Sequence, residues 1–103
     1  MVGYSIARIE VAFNIWRLRI YRRCHLIKLA VKPEYRRRGI GDALLRETVK
    51  YARKVGADEV ILEVRAKNTV ARRFYKKRDF KEVKYKKGYY LDDDAVIMTL
   101  KLN

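Results

Sequence analysis

Cysteine occurs once in the chain, at Cys24, and proline once, at Pro33. A single cysteine excludes an intrachain disulfide and a Cys-rich metal site. No apolar run reaches the roughly twenty residues that a membrane span needs. Arg8, Glu10 and Arg17 break up the apolar stretches near the N-terminus, so no signal-peptide core is expected there. A soluble, cytoplasmic protein is the resulting expectation. Acidic side chains are also scarce, 12 against 26 lysines and arginines, which leaves a net charge of +14 on 103 residues. So few acids cannot support extensive ion pairing. The excess favours anionic partners such as nucleotides, nucleic acid, ribosomes or acidic lipid. A solvated surface in the style of a heat-adapted protein is the plain alternative. Repeats, low-complexity tracts and domain linkers are absent as well. The length suits one small domain, and with half its residues hydrophobic it can pack a core.

What is present alternates between two periods. Val2 to Ala12 reads as a strand, with Tyr4, Ile6, Ile9 and Val11 apolar and β-prone. Phe13 to Arg23 has no clean period and reads as a loop or a ragged hairpin. His25 to Val31 is a second strand that Pro33 ends. Gly39 to Val55 is a helix, because Ile40, Leu44, Thr48, Ala52 and Val55 recur at helical spacing and Gly56 follows as a stop. Glu59 to Val64 is short and nearly all apolar, hence a central strand. Asn68 can cap a second helix from about Thr69 to Lys77. Phe80 to Tyr85 and Ala95 to Leu102 are further strands, joined by "KKGYYLDDD", a turn-rich connector. The predicted order is β-β-α-β-α-β-β.

The most informative stretch is "YRRRGIGDALL", Tyr35 to Leu45. A strand, a glycine turn and a helix start make an anion site, since the first helical N–H groups lack carbonyl partners and face the positive end of the dipole. Gly39 and Gly41 let a phosphate approach the backbone. Arg36, Arg37 and Arg38 add charge and forked donors. No Gly-Lys-Ser/Thr follows, so this is not a P-loop. Leu44 stands where the dinucleotide fingerprint needs its third glycine. Taken alone, the stretch could equally be a glycine turn with solvated arginines.

It is not alone. "LAVKPEYRRRGIGDALL" is followed by "LEVRAKNTVARRFYKKRDF" and then by "GYYLDDDAVIM". In that order the three blocks resemble the GNAT superfamily of N-acetyltransferases, above all the ribosomal-protein alanine and archaeal N-terminal acetyltransferases. The resemblance covers about Val2 to Leu102. It implies an α+β fold (a three-layer α/β arrangement), with a mixed central sheet whose parallel central pair splays apart, flanking helices, and acetyl-CoA as cosubstrate in the opening. It also implies the site. Leu29, Ala30 and Val31 would pair with the pantetheine arm, and Leu29 would also line the acceptor. The run Arg37, Arg38, Gly39, Ile40, Gly41 and Asp42 would cradle the pyrophosphate, with Arg36 beside it. Asn68 would contact the cofactor, and Tyr75 would sit by the sulfur. Glu63 and His25 would handle the acceptor amine. Tyr89 and Tyr90 would line the substrate peptide.

Three positions depart from the family pattern. Asp42 puts an acid at an anion site. Asp79 replaces a glycine before Phe80 and is expected to adopt positive φ, which Asp tolerates better than most residues. The usual opening strand, two helices and following strand have no counterpart. The expectation is therefore a single acetyltransferase domain over residues 1–103 without that N-terminal portion, and an exposed first strand that could pair two copies into a homodimer.

The implied reaction is direct attack of an α-amine on a thioester. A free α-amine has a pKa near 7.7–8, so a modest base suffices. Glu63 in a central strand suits that role, through water, and a salt bridge to Arg65 or Lys28 is the alternative. Arg65 is expected on the opposite face. His25, read as the start of the neighbouring strand, could share a water with Glu63 or be a satisfied surface residue. Two such ligands do not make a structural metal site. Tyr75 could protonate or hydrogen-bond the leaving thiolate, or simply pack on Phe74. A Cys24–His25 nucleophile is rejected because adjacent strand residues face opposite ways. Tyr89 and Tyr90 could be a hydrophobic cover rather than a substrate wall.

Two functions follow. The first is an acetyl-CoA-dependent transferase acting on a protein N-terminus, ribosomal or nascent, with no membrane and no specific nucleic acid as partner. The second is a non-catalytic cofactor-binding or basic ribosome- or RNA-binding remnant of the same scaffold. The absence of an aromatic RNA-binding signature argues against the RNA version.

Overall fold

Strand β1 (Gly3–Asn14) and strand β2 (Arg19–Val31) form a long antiparallel hairpin. Its register sets Gly3 opposite Val31, Arg8 opposite His25, Glu10 opposite Arg23 and Phe13 opposite Ile20, with an irregularity between Ile6 and Ala7. The computed structural model describes residues 2–14, 16, 18–36 and 39–102. Of the loop or ragged hairpin expected over Phe13 to Arg23, the hairpin is found, and Phe13, Asn14 and Arg19 to Arg23 are regular strand. Cross-strand pairing carries the conformation there, although both faces of the segment are largely exposed and show no apolar alternation. His25 consequently lies in the middle of β2 and not at its start.

A short 3-10 turn, Pro33–Tyr35, follows β2 and leads to α1 (Ile40–Lys54). Gly56, at φ 77°, ends the helix as its sequence position implies. Arg53 and Lys54 occupy the last turn, where the helix dipole favours cations. α1 packs on β1 and β2. It buries Leu45, Thr48 and Ala52, and the Thr48 hydroxyl bonds to Leu44 O at 2.9 Å and to Ser5 Oγ at 3.1 Å. The chain approaches itself closely at Gly3, where a Cβ would lie 2.8 Å from Ala30 O.

The remaining elements are β3 (Glu59–Arg65), α2 (Thr69–Lys76), β4 (Lys81–Tyr90) and β5 (Asp93–Lys101). The five strands form one mixed sheet in the order β1-β2-β3-β5-β4, with β2 and β3 parallel. This is the expected mixed α+β architecture. β3 is central, as its apolar run implies, and β1 forms one edge. "KKGYYLDDD" is not a turn-rich connector: β4 runs through Tyr90 and β5 starts at Asp93, with only Leu91 and Asp92 between. A register shift between Lys86 and Tyr90 brackets Gly88, which sits at φ 63° and donates its N–H to Asp94 Oδ1 at 2.8 Å. Asp79 has φ 70°, the left-handed conformation expected of it.

The chain divides into two compact units. The first carries β1, β2, α1 and the start of β3, with Asp58 accepting from Arg22 N–H and the Arg19 guanidinium. Its core includes Cys24, Leu26, Leu45, Ala52, Ala57 and Val60. The second carries the rest of β3, α2, β4 and β5, and buries Leu62, Val64, Tyr75, Phe80 and the run Ala95 to Met98. Each large apolar side chain so buried contributes about 1.5–3 kcal/mol. Within it α2 packs on β4, and Arg72 ties the two together through Glu82 at 2.6 and 3.0 Å and Tyr85 Oη at 2.8 Å.

Candidate active site

In the first unit the described residues expected at the cofactor lie at the end of β2, in the turn after it and at the start of α1. Leu29, Ala30 and Val31 end β2 and pair with Ser5, Tyr4 and Gly3. In an antiparallel ladder alternate residues turn their backbone groups toward the partner strand. β1 therefore occupies only one side of this segment's backbone. Arg36 Nε donates to Val31 O at 3.2 Å, which anchors its exposed guanidinium just ahead of the glycine turn. Arg37 and Arg38 lie outside the described residues.

Gly39 is the N-cap of α1, at φ 77° and ψ 5°, and no side chain caps the helix. A Cβ at Gly39 would meet nothing within 4 Å, so the space beside it is open. The first-turn N–H groups of Ile40, Gly41 and Asp42 have no carbonyl one turn earlier in a helix. Together with the dipole they suit a phosphate. The acid at this position is already compensated: Asp42 accepts from Arg46 Nε at 3.0 Å and from its terminal nitrogen as well.

The hairpin carries a group that the sequence did not reveal. Glu10 Oε2 lies 3.0 Å from His25 Nδ1 and 2.7 Å from an Arg8 nitrogen, while Oε1 lies 2.7 Å from Arg23 Nε. These hydrogen bonds, from His25 first and then the two arginines, hold the Glu10 carboxyl down at about 2. The signal for it was the period of two: Arg8 and Glu10 share a face of β1. The register that sets them against Arg23 and His25 has no sequence marker. Cys24, on the opposite face from its neighbour, is fully buried and its thiol is pushed up by burial, in keeping with the rejection of a Cys–His nucleophile.

In the second unit Asn68 caps α2, accepting from Ala71 N–H at 3.0 Å. Tyr75, seven residues on, is 9% exposed, and its ring meets Phe74 edge-on at 5.1 Å and Phe80 at 5.5 Å. The packing alternative for Tyr75 is therefore real, and it coexists with a phenol that burial pushes above its ordinary range. That phenol remains a donor throughout the neutral pH range.

Glu63 is half-buried on β3, between buried Leu62 and Val64. The expectation that Arg65 faces the other way is overturned. Residues two apart on a strand share a face, and Glu63 and Arg65 both act on Tyr90. The Arg65 guanidinium lies 4.2 Å from the Tyr90 ring centre and pairs with Asp92. Burial first, then Tyr89 and the Glu63 carboxylate, push the Tyr90 phenol up. Tyr89 and Tyr90 meet edge-on at 5.0 Å. They belong to β4 and not to a loose connector. On α2, Thr69, Arg72, Arg73 and Lys76 line a shallow basic cavity.

The arrangement has counterparts. The chain is 44% identical over 106 residues to an N-alpha-acetyltransferase of Sulfurisphaera tokodaii, covering 99% of this chain and 64% of that protein. It is 44% identical over 102 residues to an N-alpha-acetyltransferase of Saccharolobus solfataricus, covering 95% and 61%. Its fold matches Arabidopsis thaliana NAA60, solved in complex with a bisubstrate analogue, with a TM-score of 0.90 and 31% identity over all of this chain and 66% of that one. The chain thus spans less than two thirds of the length of these curated relatives. The acetyltransferase (GNAT) family pattern matches residues 2–80, which include the uncapped glycine turn, Glu63, Asn68 and Tyr75, and the chain belongs to that family.

Proposed function

We propose that this chain carries the acetyl-CoA-binding and catalytic elements of an N-acetyltransferase whose acceptor is the α-amine of a protein N-terminus. The observation that carries the reading is the start of α1: a left-handed Gly39 with open space beside it and a helix with no side-chain cap. That donor set fits a pyrophosphate. The names of the archaeal relatives, at 44% identity, support the choice of an α-amine.

When bound, acetyl-CoA supplies an acetyl thioester, and the acyl carbon exchanges its C–S bond for a C–N bond while the amine loses one proton and the sulfur gains one. The N–H groups of Ile40, Gly41 and Asp42 hold phosphate oxygens, with the Arg36 guanidinium adding charge. Asn68 commits its side-chain oxygen to the α2 cap, so its amide nitrogen is the group left to donate to the cofactor. Glu63 accepts the amine proton through water. His25, in the first unit, is the second candidate for handling the acceptor. The Tyr75 phenol, kept neutral by burial, donates to the departing sulfur. Tyr90, stacked under Arg65, presents a fixed wall to the peptide with Tyr89 at its side. Pairing of two copies along the β1 edge belongs to this reading, and sedimentation at low and high salt checks it.

A thermal-shift titration with acetyl-CoA and with free CoA tests the cofactor. Mass spectrometry on a panel of peptides with free N-termini, each beside its N-blocked, lysine-containing control, tests the acceptor. Stabilisation by acetyl-CoA with acetyl added only at free α-amines is expected. Absence of any shift, or acetylation of the blocked controls, would overturn the cofactor or the acceptor respectively.

A further inference from the structure

We infer that Gly3 is a positioning residue for the cofactor: having no side chain, it lets the end of β2 and the start of α1 close to the separation at which they hold the two halves of CoA together. This rests on the acetyl-CoA reading given above and deepens it, since Gly3 is assigned to the spacing of that site and not to a contact with the ligand.

Gly3 stands against both parts. A Cβ built on it would lie 2.8 Å from Ala30 O, 3.1 Å from Leu44 Cδ1 and 3.4 Å from Ile40 Cγ2. Ala30 belongs to the stretch of β2 expected to pair with the pantetheine arm. Ile40 opens the helix whose first N–H groups suit the pyrophosphate. A carbon ordinarily comes no nearer a carbonyl oxygen than about 3.3 Å, so any side chain at position 3 must displace something by about half an ångström. The tip of Leu44 can turn aside. The Ala30 carbonyl is backbone, in the ladder that sets Tyr4 opposite Ala30, and it yields only if a strand shifts.

The next turn of the helix is tied down. Gly3 and Ser5 are two apart on β1 and share a face. The Thr48 hydroxyl donates to Leu44 O at 2.9 Å, so Ser5 Oγ donates to Thr48 Oγ1 at 3.1 Å. Thr48, Leu44 and Ile40 follow one another at single-turn spacing along α1. Ser5 thus binds one turn of the helix to β1, and Gly3 receives the two turns before it by close approach. A wedge at Gly3 acts on the first of these turns, which carries the phosphate-facing N–H groups.

The cofactor feels this distance because its halves are covalently joined. A pyrophosphate alone needs only the helix and can follow it when it moves. CoA must satisfy helix and strand at once, and hydrogen bonds lose strength quickly when their partners are misplaced. Gly3→Ala should therefore weaken free CoA and acetyl-CoA alike by about tenfold in calorimetry. ADP, which carries a pyrophosphate without the pantetheine arm, should bind the variant as it binds the parent in an NMR titration. Leu44→Phe narrows the same gap from the helix side and should give the same split, which keeps the test open should Gly3→Ala not fold. Ser5→Ala is the control. It loses the bond to Thr48 and adds no volume, so its thermal midpoint should drop while its Kd for CoA stays in place.

Unchanged CoA affinity in Gly3→Ala, or in Leu44→Phe if only that variant folds, would overturn the assignment. An equal loss of ADP binding would overturn it too, because the wedge would then have spoiled the phosphate site by itself. So would an equal loss of CoA affinity in Ser5→Ala, which would make any loosening of α1 sufficient. A parent chain that binds neither CoA nor ADP would defeat the acetyl-CoA reading itself, and the inference would fall with it.

Discussion

One helical turn apart on α1, Asp42 and Arg46 are joined beside the uncapped start of the helix, where the proposed function places the phosphates, with Arg46 Nε 3.0 Å from Asp42 Oδ2. The pair converts a misplaced acid into a locally neutral one. Arg46→Ala should therefore expose the Asp42 charge to the phosphates and weaken acetyl-CoA binding roughly threefold to tenfold, most at low salt. The double variant Asp42→Asn/Arg46→Ala should bind about as well as the parent. Calorimetry at two salt concentrations checks both; a double variant as weak as the single one would mean that Arg46 meets the cofactor itself.

Gly41 follows the N-cap, in the first turn of α1. Gly41→Val should place a branched side chain against the pyrophosphate, lowering acetyl-CoA affinity by orders of magnitude while the circular dichroism spectrum is retained. Unchanged binding would move the phosphate site elsewhere.

Substitutions can separate the packing of Tyr75 from the donor role proposed for its hydroxyl. Tyr75→Phe keeps the edge-on contacts to Phe74 and Phe80 and removes only the hydroxyl. Turnover should fall with little change in acetyl-CoA affinity, because donation to the sulfur matters mainly during reaction. Tyr75→Ala should in addition cost about 3–5 kcal/mol of stability. Equal kinetics for Tyr75→Phe and the parent would leave Tyr75 as core alone.

Arg65 lies 4.2 Å from the Tyr90 ring centre and is tied to Asp92. Arg65→Ala should loosen that wall, raising the KM for peptide several-fold while the Kd for acetyl-CoA stays constant. A change in cofactor affinity instead would show that Arg65 serves the other substrate.

Stability should fall at both ends of the pH scale, for separate reasons. The Glu10 carboxyl drops from 4.5 to about 2 on folding. A depressed carboxyl contributes stability that is complete above the unfolded value and is lost as pH falls from about 4.5 toward 2. Glu82, lowered by Arg72 and Lys76, acts in the same direction. Burial raises Tyr75 and Cys24 above their ordinary 10 and 9. For these, the unfolded chain ionises first, so stability is present below those values and declines as pH rises through them. Thermal midpoints from pH 2 to 11 should show both limbs, and Glu10→Gln should flatten the acid one.

Much of this protein was legible as local chemistry. The order of elements, the glycine turn before α1, the Asn68 cap and the positive φ of Asp79 each depend on a few neighbouring residues, and each is found where the chain implies it; that Gly39 is a left-handed cap and not the first helical residue came from the structure. The shared face of Glu63 and Arg65 was legible too, by counting two along a strand. Pairing alone decided the rest. Phe13, Asn14 and Arg19 to Arg23 are strand because β1 and β2 hold each other there, against a composition with no alternation. Glu10 meets His25 and Arg23 only through a hairpin register that no turn signal marks, and a slip of one residue would send those side chains to opposite faces. Local preference acts over a single turn of chain; contacts fifteen residues apart, such as Glu10 with His25, exist only once the sheet has closed.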